Sequence, residues 1–143
     1  MLIKQVSIFV SNQKGQVANI TRIMMENDID IRALVLFDTP EYSILRTIVS
    51  KPEEALAVLK KEGYVAKISK VVAVEPEDRT GSLNRLFTTL ADAGFSIDYT
   101  YCFVMKQREM PLFVIKTEDT DHAAKVLLEN HFNVVNKMEI YES

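Results

Sequence analysis

Two short stretches of this chain carry residue types that could hold an anion. They are Asn12-Gln13-Lys14-Gly15 and Asp78-Arg79-Thr80-Gly81. In each, a hydrogen-bonding Asn or Asp stands three residues before a glycine. Glycine lets the backbone take unusual dihedrals or come close to a ligand. If a helix begins just beyond it, the first-turn N–H groups have no intrahelical partner and lie at the positive end of the helix dipole. Such a place can hold a carboxylate. The same residue types also make ordinary turns and caps.

Other reactive residues read as structural. Arg79 is the one cation that would suit an anion-holding catalytic loop, and Gln13 stands at the matching place in the first stretch. His122 and His131 have no Cys or carboxylate at metal-ligand spacing, so no metal and no cofactor is expected. Cys102 lacks a neighbouring base motif and reads as a core or interface residue. Glu53-Glu54 and Lys60-Lys61-Glu62 read as solvated helix surface. Tyr99 and Tyr101, two apart, share a strand face. They suit interface packing, or a pocket for a ligand side chain; the matching residues in the first half are Ala33 and Val35.

The elements that would position these loops come in duplicate. Placing Gly15 over Gly81 sets an offset of 66 residues and brings Ile20 to Leu86, Met24 to Leu90, Ile31 to Ile97 and Phe37 to Phe103. Further on the offset is 68, with Ala55 on Ala123, Leu59 on Leu127 and Tyr64 on Phe132. The change implies a two-residue insertion near 106–110. The apolar period gives strands at 2–10, 31–37, 43–50 and 65–69, then 71–75, 97–104, 111–117 and 134–141. Helical stripes start at Gln16 and Pro52, and again near 81–93 and 120–130. Asp28 and Gly94 fall just past the first helix of each copy, and Gly63 ends the second helix of copy one.

The fold class expected is α+β: two tandem ferredoxin-like βαββαβ domains, 1–69 and 70–143, each an antiparallel sheet with helices on one face. Ser69-Lys70 is all that separates them, which argues for a close arrangement. The second strands are apolar on both faces. Ile31, Ala33, Val35 and Phe37 are backed by Leu34 and Leu36, and Ile97, Tyr99, Tyr101 and Phe103 by Cys102 and Val104. Helices cover only one face, and units of about 70 residues bury little surface alone. A homodimer is expected to cover the rest; the alternative is that the copies cover each other.

Composition sets bounds. Apolar residues make up 48% of 143, charged residues 26%, and the net charge is −3 with a pI near 5.4. This is a globular composition with little pull towards nucleic acid or anionic membrane. No apolar run nears the ~20 residues that span a bilayer. A single cysteine and no leader pattern at the start point to the cytoplasm.

The patterns Asn12-x-x-Gly15-Gln16-Val17 with Asp30-Ile31, and Asp78-Arg79-x-Gly81-Ser82-Leu83 with Ser96-Ile97, resemble the ACT domain family, and most closely small stand-alone proteins made of two tandem ACT domains. The resemblance covers nearly the whole chain, twice. It implies a regulatory or sensor protein that binds a free amino acid where ACT domains meet, with no catalysis of its own and a partner enzyme or regulator to receive the signal. Carried over by motif, the ligand-gripping residues are Asn12 and Asp30 in copy one and Asp78 and Ser96 in copy two. Gly15, Gln16 and Val17, and Gly81, Ser82 and Leu83, bring the backbone close. Lys14 and Thr80 replace the family's proline, and Asp30 and Ser96 its asparagine, so the two sites are expected to differ. The rivals are a protein-interaction module without a small ligand and an RNA-binding domain of the same topology. The latter needs aromatic residues on the central strands, where only Phe9 and Phe113 occur.

Overall fold

The computed structural model describes residues 2–11 and 13–142. The elements run β1 (Ile3–Val10), α1 (Gln16–Glu26), β2 (Ile31–Asp38), β3 (Ser43–Val49), α2 (Pro52–Lys61), β4 (Val65–Glu75), α3 (Ser82–Asp92), β5 (Ile97–Phe103), β6 (Leu112–Thr117), α4 (Thr120–Glu129), β7 (Asn133–Val134) and α5 (Lys137–Tyr141). Two compact units result. The N-terminal unit holds Lys4–Ser69 and the chain end from Tyr141; the C-terminal unit holds Lys70–Ile140 and the first residues through Ile3.

In the N-terminal unit the strand order is β2-β3-β1-β4, and in the C-terminal unit β5-β6-β4-β7. The apolar stripes read from the sequence form the cores. Ile20, Ile23 and Met24 of α1 meet Val6, Ile8 and Leu45 of the sheet and Ala55 and Leu59 of α2. Leu86 and Leu90 of α3 meet Val72, Val74 and Ile115, with Ala123 and Leu127 of α4. Every matched pair named above from helix interiors is fully buried in both units.

All four long helices stop in the same way. Asp28, Gly63, Gly94 and His131 sit just past α1, α2, α3 and α4 with φ of 56°, 90°, 90° and 65°. The next residue of each, Ile29, Tyr64, Phe95 and Phe132, donates its N–H five residues back, at 2.9 to 3.0 Å. This is the Schellman stop, in which a left-handed residue turns the chain and an apolar residue returns to the core. Glycine takes that conformation freely, Asp at some cost and His with more strain.

Three expectations need correction. The strands expected at 65–69 and 71–75 are one strand, β4. Ser69-Lys70 offers neither glycine nor proline to break it. The strand expected at 134–141 is only β7, followed by the short helix α5. Asn136 starts that helix, accepting from Met138 N–H through Oδ1 at 2.9 Å and from Glu139 N–H through its carbonyl at 3.2 Å. A side chain that satisfies first-turn donors favours a helix start over a strand. Third, Ile31 does not share a face with Ala33. A bulge between them puts Ile31 opposite Val49 and Ala33 opposite Ile48. Ile31, Leu34 and Leu36 then lie on the helix side, and Ala33, Val35 and Phe37 on the other. The same irregularity separates Ile97 from Tyr99.

The insertion expected near 106–110 is present: β2 pairs Phe37 with Ile44, while β5 pairs Phe103 with Leu112. Arg108 lies in it. Its guanidinium reaches Glu75 at 3.0 Å and Glu139 at 2.6 Å, tying the end of β4 to α5. The Glu139 hydrogen bond raises the Arg108 pKa above its usual range against partial burial, with Glu75 adding to it.

Candidate functional site

The helix starts differ in how their N–H groups are provided for. α4 is capped by Asp119, whose Oδ1 accepts from His122 N–H at 3.1 Å. α2 opens on Pro52 with Glu53 and Glu54 in its first turn. α1 and α3 have neither a side-chain cap nor an acid in the first turn. They begin instead at Gly15 (φ 86°) and Gly81 (φ 90°), both left-handed. A side chain at either glycine would meet open space, so the backbone conformation is what requires glycine. The two glycine loops therefore leave uncapped, electropositive helix starts.

Each start borders a cavity, on a different side. In the N-terminal unit Gly15, Gln16 and Val17 line a shallow cavity of about 560 Å³ shared with Leu36 and Asp38 of β2 and Ser43 of β3. In the C-terminal unit Gly81 and Ser82 line one of about 420 Å³, more enclosed, shared with Arg79, Arg85, His131 and Phe132. Asn12 lies outside the described residues.

The residues expected at the start of the second strands are elsewhere. Asp30 follows the far end of α1, an eleven-residue helix that spans about 16 Å. Its N–H donates to Ser50 Oγ at 3.0 Å, and its carboxylate stands 3.4 Å from the Arg32 guanidinium. Ser96 borders a third, open cavity of about 530 Å³ with Asp98 and Asp119. Within neither unit does the fold bring Asp30 to Gly15 or Ser96 to Gly81. Asp78 and Leu83 do not border the Gly81 cavity. Tyr99 and Tyr101 lie opposite Lys116 and Val114 on the face away from the helices, and line neither cavity of their unit.

Sequence reasoning missed a second set of residues beside the helix starts. In the N-terminal unit the Tyr64 hydroxyl donates to Gln16 Oε1 at 2.9 Å and accepts from Asn19 Nδ2 at 2.6 Å. The matching positions in the C-terminal unit are Ser82, Arg85 and Phe132. There Arg85 lies over the Phe132 ring, 4.0 Å from its centroid, and donates to the Asn130 carbonyl at 2.8 Å. Ser82 is too short to bridge the gap, and Phe132 has no hydroxyl. The signal was available: the apolar alignment fixes the offsets, and the polar positions between then change as a group.

A search of curated proteins by sequence finds no match. The family described as an ACT domain pair matches residues 1–142. The chain belongs to that family. A solved protein from Bacteroides thetaiotaomicron is similar across all of this ACT domain pair and 98% of its own length, with 28% identity and a TM-score of 0.91. The ligand-free regulatory subunit of aspartate kinase from Thermus thermophilus is 18% identical over 91% of this chain and 94% of its own, with a TM-score of 0.64. E. coli aspartokinase III, solved with aspartate and ADP, is 17% identical over 91% of this chain and 32% of its own, at 0.57. The last two likenesses are of fold. The expected class, two ferredoxin-like ACT domains with antiparallel sheets, is therefore the observed one.

Proposed function

We propose that this ACT domain pair is a regulatory sensor of a free amino acid, without catalysis of its own, that passes its ligand state to a partner enzyme or regulator in the cytoplasm. The observation that carries this reading is the pair of uncapped helix starts, each entered through a left-handed glycine and each bordering a cavity. Ser82 N–H donates to the Arg79 carbonyl at 3.3 Å, and the other first-turn N–H groups suit an α-carboxylate. Asp30 and Ser96, at the other ends of their helices, would grip the ligand only with a second domain's surface, as the family resemblance implies. Leu34 and Leu36, exposed at 42% and 48% on the edge strand β2, supply an apolar surface for a homodimer. Thermal-shift titration against the twenty amino acids tests the reading. At least one should raise the melting temperature, since a ligand at 100 times its Kd adds about 2.7 kcal/mol to stability. No response at millimolar concentration overturns it, and light scattering that finds a stable monomer overturns the dimer.

A further inference from the structure

The Arg85 guanidinium stands out among the charges of the C-terminal unit. Arg79 faces Glu77 at 2.8 Å, and Arg108 is held by two glutamates. Arg85 has no carboxylate partner among the described residues. One of its five donors goes to the Asn130 carbonyl, and its plane rests on Phe132. A guanidinium stacked on a ring and pinned by one carbonyl has already lost much of its freedom, so binding through its other donors costs little further entropy. It lines the 420 Å³ hollow, together with His131.

His131 adds a second observation. It holds a left-handed conformation (φ 65°) at the position where the N-terminal unit has Gly63. That conformation belongs to the helix stop described above, and it sets His131 on the wall of the hollow. In the N-terminal unit the corresponding trio carries no charge, and its Tyr64 hydroxyl joins Gln16 to Asn19.

We propose that this hollow binds the carboxylate of a small organic acid, with Arg85 as the fork that receives both oxygens and His131 closing one wall. Glu75 and Glu77 also line the hollow, and each is already paired with an arginine. Glu75 is engaged by Arg108 and Asn133 at 3.0 Å each, and Glu77 by Arg79. The hollow lies at the Gly81 helix start, so the proposal rests on the sensing reading for that start and adds to it Arg85 as the acid-binding group; it does not require an α-amino group, and it belongs to one unit only.

The test is a ¹H–¹⁵N titration of the full chain with the twenty amino acids, with succinate and acetate, and with inorganic phosphate. Succinate should shift Ser82, Arg85 and His131 while Gln16, Asn19 and Tyr64 stay in place. Arg85→Gln should weaken binding about tenfold or more at unchanged melting temperature. Arg85→Lys, which keeps the charge and loses the fork, should also weaken it. A variant carrying Ser82→Gln, Arg85→Asn and Phe132→Tyr gives this unit the other's trio and should fold without binding succinate. Unchanged succinate affinity in Arg85→Gln, succinate shifts centred on Gln16 and Tyr64, or a response to phosphate alone would each overturn the proposal. Amino-acid binding that is indifferent to Arg85 would overturn it and leave the sensing function standing. Binding of succinate at Arg85 with no response to any amino acid would do the reverse.

Discussion

At matching places beside the first helix of each unit, one copy has Gln16, Asn19 and Tyr64, and the other Ser82, Arg85 and Phe132. The first trio is joined through the Tyr64 hydroxyl, with Asn19 also accepting from Arg22; the second leaves a charge facing a hollow. The buried helix positions beneath match in place, Ile20 with Leu86, Met24 with Leu90, Ala55 with Ala123 and Leu59 with Leu127. The lesson is that scaffold and site diverge separately. Three surface-proximal changes alter what a repeat can bind while four matched helix positions stay apolar and fully buried, because the core tolerates little change in volume and a helix surface tolerates a great deal.

The largest effect should test the equivalence of the scaffolds. Ile20→Ala and Leu86→Ala empty matched, fully buried positions and should each lose about 2–5 kcal/mol in denaturant unfolding. Similar losses would sharpen the comparison, and a small loss in one copy would break it. Arg108 belongs to the C-terminal unit alone, its side chain only 15% exposed between two carboxylates. Arg108→Ala should lose about 2 kcal/mol, and hydrogen exchange should quicken first in α5. Next comes the trio itself. Tyr64→Phe removes a hydroxyl with two partners and should lose about 1 kcal/mol, whereas Phe132→Tyr should gain nothing, because Ser82 is out of reach.

Smaller effects concern the helix ends. Relief of the left-handed strain at His131 outweighs the added freedom of the unfolded chain, so His131→Gly should gain about 0.5 kcal/mol in thermal melting. Asp28→Gly should change little, because Asp tolerates that conformation better. If His131→Gly destabilises, the assignment of strain at that position fails. The last effect belongs to the N-terminal unit. Tyr141 is half-buried, and burial raises its pKa, while the hydrogen bond from Lys4 N–H lowers it. A folded-state pKa above the unfolded value stabilises below the unfolded value, near 10, and that stability is lost as pH rises beyond it. Melting between pH 9 and 11, with Tyr141→Phe losing less over that range, checks the sign.

Most of the scaffold was legible because apolar spacing reports burial directly. Val58 and Val126, for example, fall one residue before the buried Leu59 and Leu127 and mark the same helical stripe. Chain breaks were less legible. The local signal for a strand that continues through Ser69-Lys70 is only the lack of a glycine or proline there, and the duplication suggested a boundary instead. The segment after Val134 carries strand-forming residues, and only the capping geometry of Asn136 decides for a helix. The site was least legible. The motif directed attention to Asp30 and Ser96, which lie a helix length from the glycines, and passed over Arg85. Arg85 has no motif; its role depends on a ring 47 residues later in the chain.

The bulges at Ile31/Ala33 and Ile97/Tyr99 carry a record of descent. They sit 66 residues apart, at the same step of β2 and β5. A strand cannot lose such a step gradually, because a slip of one residue turns every later side chain to the wrong face. Two independent origins at one register are a poor explanation. The irregularity is better understood as an heirloom, already present in a single-copy ancestor and copied with the gene, and so older than every difference between Arg85 and Asn19.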